Sequence, residues 1–194
     1  MIISPLLALS LAAALPPPAD AAPPAPDTAI AVPTGGPHDF DFEFGAWRAH
    51  IRRLIHPLSG SHEWADLDGS SVVRRVWQGR ANLGELEVAG GGIRLEGMSL
   101  RVYDPVARHW NIHWTNAKDG AVGTPMQGGF AGGRGLFYNH EQFGDRTVLV
   151  RFIFSDLTPT TFRIEQAFSP DEGKTWEANW IATFRREPGA RGRG

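Results

Sequence analysis

The chain has 194 residues, the length of one ordinary domain, of which 42% are hydrophobic and 21% are charged. Its formal net charge of −2 argues against a nucleic-acid-binding protein, because such proteins need a basic excess to contact phosphates. Cysteine is absent, which excludes disulfides, iron–sulfur clusters, cysteine zinc sites and thiol catalysis.

Residues 1–21 are predicted to be a secretory signal peptide. Residues 2–15 form a mostly apolar run, and Ala19-Asp20-Ala21 offers a cleavage site before Ala22. The run is short for a membrane-spanning helix, and no later stretch is apolar enough, so we expect no membrane span. These features predict a periplasmic or secreted protein.

The predicted folded domain covers residues 37–186. Residues 22–36 contain four prolines and are predicted to be an extended linker. At the other end, residues 187–194 are predicted to be a disordered tail.

Within this domain, apolar and polar residues alternate with a period near two, and turn signals separate the runs, as is typical of strands. The predicted strands are 45–56, 61–66, 71–77, 81–88, 93–103, 108–115, 126–130, 136–142, 147–154, 161–168 and 175–184. Asp68-Gly69 predicts a hairpin turn between the second and third of them. The glycine-rich segment 116–135 is predicted to be a loop that holds the short strand 126–130.

The sequence therefore predicts the all-β class, as a closed antiparallel up-and-down barrel of about ten strands. An open sheet of this many strands would leave edges exposed to other chains, and closure removes them. A sandwich of two sheets is the alternative. A barrel of more than eight strands has room inside for a ligand.

Gly45-Ala46-Trp47 resembles the Gly-x-Trp signature of lipocalins and the wider calycin superfamily. The resemblance implies that Gly45 and Trp47 are structural, that the indole plugs the closed end of the barrel, and that Arg185 or Arg186 covers its ring. Such stacking of a guanidinium on an indole is favourable.

Longer segments carry a more specific resemblance. HDFDFEFGAW (38–47), RRL with HPL (52–58) and GKTWEANWIA (173–182) look like a secreted bacterial family of unknown function. That family is grouped with calycin-like, nitrobindin-like ten-stranded barrels, and the resemblance covers residues 38–186. It implies a fold and supplies no reaction.

The histidines do not indicate a metal or a cofactor. Nitrobindins hold haem through a histidine near the C-terminal strands, and this chain has no histidine after His140, so we expect no haem. His109 and His113 share one face of a predicted strand, but no histidine motif or cluster accompanies them. We therefore expect no metal and no cofactor.

SPDEGKTW (169–176) matches the Asp-box pattern of sialidases and other propellers. In that motif Asp171 bonds turn amides, Gly173 takes a positive φ and Trp176 packs beneath the turn. A sialidase needs several copies in a much longer propeller, so one copy indicates a structural turn.

Charged and aromatic side chains within the strands are the candidate ligand-binding set. They are Arg53, Trp64, Arg75, Trp77, Glu85, Trp110, Trp114, Asn116, Glu141, Arg151, Glu165 and Trp180. One interpretation places the charges outside or in a bracing Arg–Glu network. The other places arginine and tryptophan in a ligand-binding lumen. A single bulge reverses inside and outside, so both interpretations stay open.

We expect a secreted barrel that binds a small hydrophobic or aromatic molecule, with or without a carboxylate, and no nucleic acid. One alternative is a cofactor-free lyase, isomerase or cyclase that uses a histidine or glutamate in the same cavity. Another is a ligand-free structural domain. A filled interior would favour the last, and a cavity residue with a shifted pKa would favour catalysis.

Overall fold

The computed structural model describes residues 31–188, and the predicted signal peptide, most of the predicted linker and most of the predicted tail lie outside these residues. The strands are β1 (Gly45–Leu54), β2 (Trp64–Val76), β3 (Ala81–Gly90), β4 (Ile93–Asp104), β5 (His109–Asn116), β6 (Met126–Ala131), β7 (Arg134–Phe143), β8 (Arg146–Ser155), β9 (Thr161–Ser169) and β10 (Glu177–Arg186). Two short 3₁₀ helices, Asp41–Glu43 and Trp77–Gly79, precede β1 and follow β2.

Every strand pairs antiparallel with its neighbours in the chain, and β1 also pairs with β10. This last pairing closes the sheet, so the all-β closed barrel predicted from the sequence is confirmed and the two-sheet sandwich is excluded. Alternate residues of each strand face the interior, and these residues form the walls of the space inside the barrel.

Aromatic rings fill one end of the barrel, which we call the closed end. The ring of Phe40 lies 5.0 Å from the rings of both Trp110 and Phe130, in edge-to-face contacts. Trp47 is fully buried beside them, and its indole N–H donates to the carbonyl of Glu43 at 2.7 Å. Edge-to-face packing and a bonded indole N–H are the arrangements that aromatic cores favour.

Arg186 covers the Trp47 ring, with its guanidinium carbon 4.1 Å from the ring centre. It also donates to the carbonyls of Phe42 and Phe44 at 2.8 Å. Arg185, the other residue predicted to cover this ring, is exposed and lies opposite Arg48 on the outer face. Strand periodicity separates the two arginines, because Arg186 shares the inward face with Phe184 and Arg185 does not.

The segment before the closed end is attached to the barrel, which shortens the predicted linker. Gly35 donates its backbone N–H to the Arg108 carbonyl at 2.8 Å and accepts from the Tyr103 hydroxyl at 3.0 Å. The indole N–H of Trp110 donates to the Gly36 carbonyl at 2.9 Å. These backbone groups satisfy polar tips of aromatic side chains that would otherwise be unpaired.

The hairpin predicted at Asp68-Gly69 is wrong, because both residues lie within the continuous strand β2. The Asp68 carboxylate accepts from the His50 ring across the strand pair, at 2.9 Å between Nδ1 and Oδ1. Gly69 lies opposite Val88 of β3, and a Cβ there would be 1.9 Å from the Glu87 carbonyl oxygen. The glycine therefore permits close backbone approach between strands and does not make a turn.

The Asp-box segment forms a tight turn between β9 and β10. The Asp171 carboxylate accepts from the Thr175 backbone N–H at 2.8 Å and from its hydroxyl at 2.7 Å. Gly173 has a φ of 87° and donates its N–H to the Ser169 hydroxyl at 2.7 Å. The Trp176 indole N–H donates back to the Gly173 carbonyl at 3.0 Å. The two hydrogen bonds from Thr175, the backbone one first, stabilise the anionic carboxylate and lower the pKa of Asp171 to about 2.

We expect the Asp171 turn to stabilise the protein at neutral pH and to lose this stabilising contribution in acid. The pKa of this carboxyl is below its ordinary 3.8, so its contribution is present above pH 3.8 and disappears as the pH falls towards 2. Urea unfolding midpoints of wild type and Asp171→Asn, compared between neutral pH and pH 2, check this. The wild type should be more stable than Asp171→Asn at neutral pH, and the difference between their midpoints should shrink in acid. A pH-independent difference would contradict the assignment.

Candidate functional site

A cavity of about 640 Å³, the main cavity, lies inside the barrel between the closed end and the opposite rim. This volume falls within the range of about 300–1,000 Å³ that is typical of small-molecule pockets. The apolar part of its wall consists of Leu86, Leu95, Ile112, Trp114, Met126, Phe152, Phe154, Ile164, Trp180 and Phe184. The interior of the barrel is therefore not filled by its own side chains.

Two indoles line the main cavity from opposite walls. Trp114 is on β5 and Trp180 is on β10, five positions apart in the ring of ten strands. Gly97 of β4 leaves the space that the Trp114 ring occupies, since a Cβ at Gly97 would lie 2.2 Å from that ring. The two rings present flat apolar surfaces to any molecule that enters.

A buried ion pair forms the floor of the main cavity. Glu43, at the end of the first 3₁₀ helix, accepts from both terminal nitrogens of Arg101 on β4, at 2.5 and 3.1 Å. The side chains are only 2% and 7% exposed. Burial raises the pKa of Glu43 above its usual range, and the Arg101 guanidinium acts in the opposite direction. Both terminal nitrogens of Arg101 are therefore already occupied by a side chain of the protein itself.

Polar groups around this ion pair remain incompletely bonded. Asn82 accepts from Arg101 at 3.2 Å, but its Nδ2 and the Nε of Arg101 have no partner among residues 31–188. The hydroxyls of Ser71 and Ser99 also line the floor. The floor of the main cavity is therefore polar, in contrast to its middle.

The rim carries charges of both signs on different sides. Arg53, at the end of β1, lines the cavity beside Trp180, its cross-strand neighbour. Asp119 lies on the loop between β5 and β6, where it accepts from the Asn116 amide at 2.8 Å. Glu141 of β7 accepts from the Asn139 amide at 3.0 Å.

A bulge in β10 reshapes the wall next to Arg53. Its register against β9 shifts between Ala178 and Trp180, and the intervening Asn179 is 3% exposed. Asn179 lines a second cavity of about 420 Å³, the side cavity, which lies beneath the connection between β1 and β2. Bulges commonly redirect a side chain in this way.

Half of the predicted ligand-binding residues line the main cavity: Arg53, Glu85, Trp114, Asn116, Glu141 and Trp180. Glu85 borders the cavity only at one edge. Its carboxylate is turned away from the cavity and accepts from the exposed Arg74 at 2.7 Å. It therefore braces β2 against β3 on the outer face. The remaining predicted residues are Trp64, Arg75, Trp77, Trp110, Arg151 and Glu165, and the structure places them elsewhere.

Three of these six belong to stacked or packed clusters outside the cavity. The guanidinium carbon of Arg151 lies 4.2 Å from the Trp176 ring on the outer face. That of Arg75 lies 4.4 Å from the Phe44 ring near the closed end. Trp110 is buried in the closed end itself.

The other three face outward or sit at the outer surface. Trp77 is 64% exposed, because the 3₁₀ helix there ends β2 and gives this residue a φ of 49°. Trp64 lies beneath the guanidinium of Arg52 at 5.1 Å. Glu165 accepts from Arg163 on its own strand at 2.7 Å. These positions correct the expectation that they line the lumen.

Sequence reasoning did not single out Glu43, Arg101, Asn82 or Asn179. Glu43 lies between Phe42 and Phe44, and a carboxylate within such an aromatic run is a signal of a buried partner. Arg101 carried no comparable signal, because both faces of β4 contain apolar residues.

Among residues 31–188, no three histidine, aspartate or glutamate side chains come close enough to hold a metal ion. Within the same residues there is no helix with the length and apolar character needed to cross a bilayer.

Comparison with protein-family models finds no match for this chain, and comparison with curated proteins finds none either. Among solved structures, eight chains match. One is an S-type phycobiliprotein lyase, CPES, from Guillardia theta, which is 12% identical, with a TM-score of 0.48. The matched region covers 76% of this chain and 90% of the lyase chain. The fold assigned here is established by the strand pairing of this chain.

Proposed function

We propose that this protein binds a small, mostly apolar or aromatic molecule inside its barrel. The observation that carries the proposal is the main cavity of about 640 Å³, with apolar walls and a few polar groups at its ends. Small-molecule sites have this composition, in which apolar walls supply binding energy and polar groups orient the ligand. An interior of this size also argues against the ligand-free structural domain.

Filling the main cavity is expected to weaken binding of the neutral fluorescent probe N-phenyl-1-naphthylamine. Leu95 of β4 faces the cavity, so Leu95→Trp should weaken probe affinity by at least about tenfold by occupying its space. Fluorescence titration measures the affinity.

Leu100→Trp is the matched control, because Leu100 lies on the outer face of the same strand and is 40% exposed. Its affinity should stay within about twofold of wild type. Equal loss in both variants, or no binding by the wild type, would contradict an internal site.

We also propose that the chain belongs to the secreted bacterial family that it resembles, and that it is exported and cleaved after Ala21. The support is the apolar run and the Ala19-Asp20-Ala21 site of the sequence. Native mass spectrometry of protein purified from its own host tests the proposed cleavage and the proposed binding together. The mass of the complex reports both the mature N-terminus and any co-purifying molecule. A mature chain beginning at Ala22 with a small-molecule adduct is the expected result.

Catalysis without a cofactor is the second candidate, because Glu43 borders the main cavity and burial raises its pKa. A protonated carboxyl in an apolar cavity can donate a proton during isomerisation, cyclisation or elimination. We place this candidate second because both Glu43 oxygens accept from Arg101. Incubation of a co-purified molecule with fresh protein, followed by mass and retention analysis, separates the two. Unchanged ligand supports binding alone, and a product that is lost in Glu43→Gln supports catalysis.

A further inference from the structure

Two arginines line the main cavity, and they differ in what they contact. Arg101 is held at the floor by Glu43 and Asn82. Arg53 lies at the rim, and its side chain has no ion pair, hydrogen bond or ring contact with any residue between 31 and 188. Its positive charge is therefore available to a molecule in the cavity.

The lack of a partner distinguishes Arg53 from the other predicted strand arginines. Arg75 and Arg151 both stack on aromatic rings, and so does the adjacent Arg52. Arg53 instead lies beside Trp180 in register, at a position where cross-strand side chains are close enough to act together.

The β10 bulge places a second donor in the same region. Asn179 accepts from the Gln166 amide at 2.8 Å, but its own Nδ2 has no partner within residues 31–188. A buried donor without an acceptor is costly, and a bulge that produces one needs a compensating contact. A ligand acceptor would supply that contact.

Arg53, Gln166 and Trp180 line both the main cavity and the side cavity, so they mark the junction between the two. Asn179 lines the side cavity at this junction. A cation and an unsatisfied amide donor therefore border the same space, and the Trp180 ring supplies an apolar surface next to them.

We propose that this junction is an anion subsite, and that the ligand is an organic acid with an apolar body and one carboxylate or sulfonate group. The acid group pairs with Arg53 and accepts from the Asn179 amide, while the body extends past Trp180 into the main cavity. This inference rests on the proposed function, since it orients a ligand inside the same cavity. Charge-assisted hydrogen bonds of this kind give both affinity and orientation.

The other charges of the cavity favour the same orientation. Glu43 neutralises Arg101 at the floor, so an acid group gains little there. Asp119 and Glu141 occupy the rim between β5 and β7, on the far side of the ring from β1, and they repel an anion. The acid group therefore lies at the Arg53 side of the rim, with the apolar body pointing inward.

Two fluorescent probes of similar aromatic shape test the subsite: N-phenyl-1-naphthylamine, which is neutral, and 8-anilinonaphthalene-1-sulfonate, which carries one sulfonate. We expect Arg53→Gln to weaken the affinity for the sulfonate probe by about tenfold and to leave the neutral probe within about twofold. Arg53→Lys should recover part of the loss. Asn179→Asp, which keeps the acceptor for Gln166 and adds a negative charge, should act in the same direction as Arg53→Gln.

Arg52→Gln is the control, because it removes the same charge from the adjacent, outward-facing position. It should leave both affinities within about twofold. If the wild type binds the neutral probe but Arg53→Gln does not change sulfonate binding, the anion subsite is wrong and the binding function stands. If the wild type binds neither probe, the binding function and the subsite both fall. Thermal unfolding of each variant confirms that it is folded before titration.

Discussion

Replacing Glu43 by alanine is expected to destabilise the barrel by about 3–5 kcal/mol. The substitution leaves the Arg101 guanidinium buried at the cavity floor without its carboxylate, and an uncompensated buried charge is far more costly than the intact pair is stabilising. Urea unfolding followed by tryptophan fluorescence measures the change in unfolding free energy.

The double variant Glu43→Leu with Arg101→Met separates charge from packing. It should recover most of the stability lost in Glu43→Ala, because no buried charge remains, although Asn82 loses the donor to its side-chain oxygen. Glu96→Ala is the matched surface control, since its partner Arg94 is exposed and exposed pairs contribute little. A loss in Glu43→Ala no larger than that in Glu96→Ala would show that the floor pair is not a buried charge pair in solution.

Trp47→Ala is expected to destabilise the protein by about 3–5 kcal/mol, the usual effect of removing a large buried aromatic side chain. The ring lies 4.7 Å from Phe162 and 4.1 Å from the Arg186 guanidinium, so its loss creates a void beneath a cation. It also leaves the Glu43 carbonyl without the indole donor. Thermal and urea unfolding measure the effect.

Trp77→Ala provides the comparison, because it removes the same side chain from a position that is 64% exposed. Its effect should be about 0.5 kcal/mol or less. Trp47→Phe should lie between the two, since it keeps most of the packing and loses the hydrogen bond. Similar losses in Trp47→Ala and Trp77→Ala would mean that the indole of Trp47 is not the plug of the closed end.

The fold could be predicted because strands and turns have local sequence signals that do not depend on distant residues. Period-two alternation and turn residues located nine of the ten strands close to their observed bounds, and the edge argument predicted closure. The exception is β2, because Asp68-Gly69 predicts a turn where the structure has a continuous strand. A glycine that accommodates a neighbouring strand has the same local signature as a glycine that makes a turn, so only the tertiary pairing separates them.

The site was harder to predict, because facing depends on bulges and on partners distant in the chain. The bulge at 178–180 brings Trp180 inward and leaves Trp176 outside against Arg151, whereas uninterrupted alternation puts both indoles on one face. Arg101 finds its carboxylate 58 positions earlier in the chain, in a 3₁₀ helix. A local sequence pattern cannot predict a contact between residues so far apart in the chain.

The seam between β1 and β10 also determines when folding can finish. Trp47 of the first strand pairs with Arg186 of the last, so the ring cannot close before almost the whole described chain has been synthesised. Contacts of such long sequence separation slow folding, since their loop-closure entropy must be lost first. Until then the two terminal strands are open edges and the aromatic interior is exposed to water. The unclosed intermediate is therefore the state most prone to aggregation.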